Sequence, residues 1–422
     1  MRAAINGSIE IARRHLSDKD KKNNDGDTAY TLAAKAGQGA ILELLDPTDK
    51  SGVTALMRTA ERGDVVVARA LMTKQKKLRD SDGRTALIHA AQRGCKEAVR
   101  VLLEHEKGVK DNQSHSALYH ALKTGHMETA KIVLPHEDPA DENGVTALMR
   151  AAVRGDPEMV ELLAPLQRGR SAVGDAEAGG VRTASDTALM RAARSGHAKV
   201  VKLLIEYESG LKDNIGSTAL MFAATHGHVD CVKLLVEKEG GMKDDNGTTA
   251  LMFATNNGHT ECVRLLMDSE GGIKENKGET ALMWAAYFGY IECVRLLMEK
   301  EASMKDKDGW TALMWAAENG HTEVVRVLAE CEGKRKDNKG MTALMHAAKN
   351  YHPECVRLLA EKERCFHDND EKTALMFAAA HGHIECVRLL KEKEEEIINN
   401  NGETALDIAE QGEYNDIVSL LQ

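Results

Sequence analysis

The chain has 422 residues, 42% hydrophobic and 29% charged, and its 66 acidic against 56 basic side chains leave a net charge of −10. That balance excludes a disordered chain, and because both signs are mixed along the whole length it leaves no basic footprint for nucleic acid or an anionic membrane. The start, MRAAINGSIEIARRHL, carries charges where a secretory signal needs an apolar run, and no stretch reaches the length of a membrane span. We therefore expect a cytoplasmic protein, not inserted in a membrane, with its 8 cysteines reduced.

In chain order, AAINGSIEIARRHL from Ala3 reads as the second half of a structural unit, which predicts a degenerate capping half-repeat over 1–22. Residues 23–166 hold Thr28, Thr54, Thr85, Ser116 and Thr146, spaced by 26, 31, 31 and 30 residues, each opening a similar phrase. The step from Thr146 to Thr187 is 41 residues, its extra length lying in QRGRSAVGDAEAGGVRTASD. Such Gly, Ala and Ser content predicts a mobile, protease-sensitive insertion over 167–185. Ser171, Thr183 and Ser185 are candidates should it instead be a modified or partner-ordered loop. Over 186–399 the anchors Thr187, Thr218, Thr249, Thr280, Thr311, Thr342 and Thr373 keep a strict period of 31, and Thr404 opens a C-terminal capping repeat over 400–422.

Counting the threonine as position zero, small and apolar residues fall at 2, 3, 5 and 6 and again at 13, 14, 16 and 17. These are two short helical faces, interrupted by glycine at position 9. Thr218 can cap the first helix, and Gly227 can end it with a positive φ. Pro157 and Pro353 fall at position 11, where the first turn of a helix tolerates proline. Polar turns such as KDNIG and KDKDG join the units. A helix pair this short cannot bury its apolar face alone, so the units must stack. The fold expected is an elongated all-α repeat solenoid of helix-turn-helix units with short hairpin-like turns.

The Asp/Asn-x-x-Gly-x-Thr turn, the Ala-Ala pair, the Gly-His step and the Val-x-Leu-Leu helix resemble the ankyrin repeat over nearly the whole chain. Two departures are plain: TALM stands where that family usually has Thr-Pro-Leu-His, and the period is 31 rather than 33. The TALMxAA…GHxECVRLL wording looks most like the long ankyrin-only proteins of diplomonad protists, the protein 21.1 group. No kinase catalytic-loop motif is present.

HGHIEC at 381–386 carries two histidines, a carboxylate and a cysteine, the residue types of a metal or thiol site. In phase with the other units, however, Cys386 occupies position 13 beside Val67, Ala98, Val200 and Val324, a slot for a small core side chain. His383 shares position 10 with Asp64, Tyr290 and Tyr414, and His381 sits at the variable position 8. We expect no metal, no cofactor and no catalytic residue. The methionines at position 3 read as core, and Glu292 with Arg295 as one of many i,i+3 pairs on a solvated face.

The resemblance implies a non-catalytic scaffold or adaptor that binds a partner protein on its concave side, through positions −1, 7 and 8. Trp310 is at −1 and Tyr287 and Phe288 at 7 and 8, with Trp284 and Trp315 at position 4 close by. These five, together with His381, are the candidate binding residues, since exposed aromatics often anchor interfaces. The alternatives are a structural or cytoskeletal adaptor and, less favoured, a metal-dependent enzyme. A monomer is expected.

Overall fold

The computed structural model describes residues 1–172 and 186–422; of the segment 167–185, residues 173–185, Thr183 and Ser185 among them, lie outside the described residues. Two compact units divide the chain, Met1–Val173 and Gly174–Gln422. Each is an all-α repeat solenoid. The described residues hold 28 α-helices and no strand element, and helices pack on their own partner and on the equivalent helix one repeat away.

The repeat anchored at Thr280 explains the others. Thr280 is extended (φ −117°, ψ 168°) and stands at the N-terminal boundary of the first helix, Ala281–Phe288, without a side-chain cap bond; Gly289 ends that helix at φ 76°, and Tyr290 precedes the second, Ile291–Glu301. At Thr54, Thr146 and Thr187 the hydroxyl accepts the N–H three residues on, at 3.3 Å. The methionine at position 3 answers it. Its Sδ accepts the threonine N–H at 3.4 Å in Thr218–Met221 and Thr342–Met345, a weak counterpart of the reciprocal bond that Glu or Gln makes in a capping box. Those methionines are 1–2% exposed. They fill the core and satisfy an otherwise orphaned donor.

Ala281, Leu282, Met283, Ala285, Ala286, Cys293, Val294 and Leu297 are all buried. Position 16, expected in the core, is only half-buried at Leu296. Position 21, which carries a charge, is buried instead. There Glu239, Glu270, Glu301, Glu332 and Glu363 are each 1% exposed. Glu301 takes the Gly272 N–H on Oε1 at 2.9 Å and the Leu282 N–H on Oε2 at 2.6 Å; Glu270 does the same with Gly241 and Leu251 at 3.0 and 2.6 Å. Each carboxyl thus joins the end of one repeat's second helix to the start of the next repeat's first. Burial pushes these five carboxyls above the usual range, against the pull of the two N–H donors.

Turns are pinned in the same periodic manner. Asp306 Oδ1 accepts the N–H groups of Asp308 and Trp310 at 2.9 and 2.8 Å, an Asx turn, and the Lys307 N–H reaches the Lys277 carbonyl of the preceding turn at 2.9 Å. Glycine at position 9 also makes room for the next repeat: a Cβ on Gly227 would lie 2.6 Å from the His259 ring. That ring in turn bonds the Thr225 carbonyl through Nε2 at 3.1 Å. On the outer face, Glu292 and Arg295 approach to 3.9 Å with both side chains more than half exposed. Such a pair contributes about 0–1 kcal/mol.

Candidate functional site

Around the repeats anchored at Thr280 and Thr311, position 7 of one repeat meets position 4 of the next, and position 4 meets position −1 of its own repeat. In the unit Gly174–Gln422 the aromatic members come together. Tyr287 packs edge-on against Phe288, with centroids 4.8 Å apart, and against Trp315 at 5.6 Å. Trp315 in turn lies 4.6 Å from Trp310, which sits 4.1 Å from the His346 ring. Trp284 is fixed by its indole N–H, which donates to Glu279 Oε2 at 2.7 Å. Trp284, Tyr287, Phe288, Trp315, Met283, Asn256 and Glu279 line a cavity of about 240 Å³.

Exposure separates the five aromatics. Tyr287 and Phe288 are 44% and 41% exposed, whereas Trp284, Trp310 and Trp315 are half-buried. Trp310, placed by the sequence with the free surface residues, is wedged between Trp315 and His346. His381 lies elsewhere. It is exposed, its Nδ1 bonds the Phe377 carbonyl at 2.9 Å, and it does not line the aromatic cavity.

The histidines at position 4 follow a rule that the sequence reading missed: each faces the acid at −5 that closes the turn. His89 Nε2 meets Asp80 Oδ2 at 2.8 Å, His120 meets Asp111 at 2.8 Å, and His346 meets Asp337 at 3.2 Å. Two of these histidines gain a second carboxylate from the preceding repeat, Glu61 at 2.9 Å on His89 and Glu318 at 3.0 Å on His346. Burial opposes the charge on His346, but Asp337 and Glu318 outweigh it and raise its pKa. At Phe222, which replaces histidine at position 4, the Asp213 Oδ2 is buried without a partner. Burial raises the pKa of that carboxyl.

The residues of HGHIEC diverge. Cys386 is wholly buried, and His383 Nε2 donates to the Lys349 carbonyl at 2.9 Å, so the two histidines and the cysteine each face a different environment. Burial pushes the thiols of Cys231, Cys262 and Cys386 up to about 11, which keeps them protonated and unreactive at neutral pH. A thiol reagent should therefore label the exposed Cys331 and Cys365 of the native protein quickly. Cys231, Cys262, Cys293, Cys355 and Cys386 should react only on unfolding, and rapid native labelling of any of them would contradict their placement in the core.

Among the described residues, no helix is long and apolar enough to cross a membrane. A family model described as ankyrin repeats, three copies, matches residues 39–112, 104–173, 170–244, 238–308, 300–370 and 361–422. No curated protein matches the chain significantly.

Proposed function

The chain belongs to the ankyrin-repeat family, and on that premise we propose that it is a non-catalytic scaffold or adaptor whose aromatic edge captures a side chain of a partner protein. Ankyrin repeats are in general protein–protein interaction modules and are typically not enzymes. The reading is carried by the cavity of about 240 Å³ that spans three consecutive repeats, with an aromatic wall of Trp284, Tyr287, Phe288 and Trp315. Half-buried tryptophans held from behind form a preorganised floor, and Tyr287 with Phe288 form the part that a partner would cover. Aromatic anchors of this kind carry a disproportionate share of binding energy. On the same footing we propose a monomeric, cytoplasmic protein grouped with the diplomonad protein 21.1 proteins, supported by the wording of the repeat and by thiols used as core side chains.

A photocrosslinking residue at Phe288, used in native lysate, identifies the captured partner. The double substitution Tyr287→Ala with Phe288→Ala should then weaken capture at least about thirtyfold, the effect of removing roughly 2 kcal/mol at a binding hot spot. The melting temperature should hold, because both side chains are over 40% exposed. Trp315→Ala should lower both binding and stability. Capture that survives the double substitution removes the aromatic edge as the docking site.

A further inference from the structure

The repeat anchored at Ser116 differs from its neighbours where the turn meets the first helix. Asp111, at position −5, closes the turn by accepting the N–H groups of Gln113 and His115 on Oδ1, both at 2.9 Å. Its second oxygen, Oδ2, lies 2.8 Å from His120 Nε2 and 3.9 Å from His115 Nδ1. The three potential ligand atoms all lie within 4.8 Å of one another. Asp111 and His120 are 7% and 8% exposed. His115 stacks on Tyr119 with ring centroids 3.7 Å apart and planes 9° from parallel, so its orientation is fixed. Its Nδ1 is shut off from water yet has no hydrogen-bond partner.

The other two Asp–His pairs lack this arrangement. Position −1 is Arg84 beside Asp80 and His89, and Met341 beside Asp337 and His346. In both, the second imidazole nitrogen is taken by a glutamate, Glu61 or Glu318. In the Ser116 repeat the counterpart of those glutamates is Gln92. The second carboxylate is gone and a second imidazole has been added, which exchanges an ion-pair network for two nitrogens and one oxygen converging on a common point.

We propose that Asp111 Oδ2, His115 Nδ1 and His120 Nε2 bind a divalent transition-metal ion of the zinc type. Zinc bonds of about 2.0–2.1 Å in tetrahedral geometry set ligand atoms roughly 3.3 Å apart, a spacing that small rotations of the two rings and the carboxylate provide. Imidazole nitrogens select such an ion over calcium or magnesium, which take oxygen ligands. The fourth position is left to water: His115 also lines a cavity of about 520 Å³ with Tyr119, Glu137 and Glu158. The bound ion would clip the turn to the first helix and give the orphaned His115 nitrogen a partner.

The test titrates zinc chloride into the chelator-treated full chain, with exposed thiols alkylated, by calorimetry and thermal melting. One equivalent should bind and raise the melting temperature. Cobalt(II) at the same site should show the visible absorption of a four-coordinate ion. His115→Ala, which removes a part-exposed ring, should weaken binding at least about tenfold, the scale of losing even an indirect support of a metal site, with the metal-free melting temperature unchanged. His120→Gln keeps an amide N–H for Asp111 but removes a ligand, and should do the same. Absence of saturable binding at micromolar zinc, or equal binding by both variants and the parent chain, overturns the proposal.

Discussion

Glu301→Ala should destabilise the unit Gly174–Gln422 by about 3–5 kcal/mol, the scale of two buried N–H groups left unpaired together with the cavity of a lost side chain. The side chain is 1% exposed, and alanine would leave the N–H groups of Gly272 and Leu282 buried and unpaired in addition to a cavity. Glutamine should cost less, about 1–2 kcal/mol. The protein itself shows why the cost is not zero. At the equivalent position Gln75 Oε1 accepts the Leu56 N–H at 2.9 Å, yet its Nε2 is buried without a partner, because an amide offers one acceptor where a carboxylate offers two. Hydrogen exchange at the Gly272 and Leu282 amides reads the effect locally, which matters because long repeat arrays need not unfold in one step. A loss under about 1 kcal/mol for alanine would show that the glutamates fill space rather than join repeats. The pH dependence has a definite sign. Since burial raises the folded pKa of Glu301, its stabilisation is complete below the unfolded carboxyl pKa of about 4.3 and declines as pH rises toward the folded value. The stability of the parent chain relative to Glu301→Gln should therefore fall between pH 4 and neutrality.

Much of this fold is legible from spacing. The threonine at zero, the glycine at nine and the small residue at thirteen recur because each is fixed by local geometry: a cap, a positive φ, a close helix contact. That is why Cys386 could be read as a core side chain from Val67 and Val200 alone. The charged positions are harder. Glutamate at 21 ends a helix rich in Glu and Lys, where charge normally means solvent, and its partners lie 29 and 19 residues back in the chain. One signal was available: position 21 is Glu or Gln from Gln75 to Glu394, whereas surface positions such as 8 change freely. His383 was legible as a polar residue at a helix start, but not as a donor to a carbonyl 34 residues earlier. The Asp111, His115 and His120 cluster escaped for a related reason. HGHIEC gathers its metal-ligating residue types within one hexapeptide, whereas Asp111, His115 and His120 are spread over ten residues and converge only once the turn has folded onto the helix.

Gly289→Ala should disturb both the stacking and the aromatic edge without touching a partner. Gly289 adopts φ 76°, which costs a residue with a Cβ about 1–2 kcal/mol, and the added carbon would lie 2.6 Å from His321 Nδ1. The His321 ring cannot yield freely, because its Nε2 donates to the Tyr287 carbonyl at 2.8 Å. Pushing the ring aside breaks that bond and frees the end of the helix that carries Tyr287 and Phe288. The expected result is a lower melting temperature together with a loss of partner capture that tracks the one caused by removing the two rings. A double-mutant cycle separates the causes. In a His321→Ala background the steric contact is gone, so Gly289→Ala should cost only its backbone term, and the two substitutions should combine less than additively by about 0.5–3 kcal/mol. Strict additivity would mean that the glycine answers to backbone geometry alone and that the next repeat's histidine does not set the shape of the binding edge.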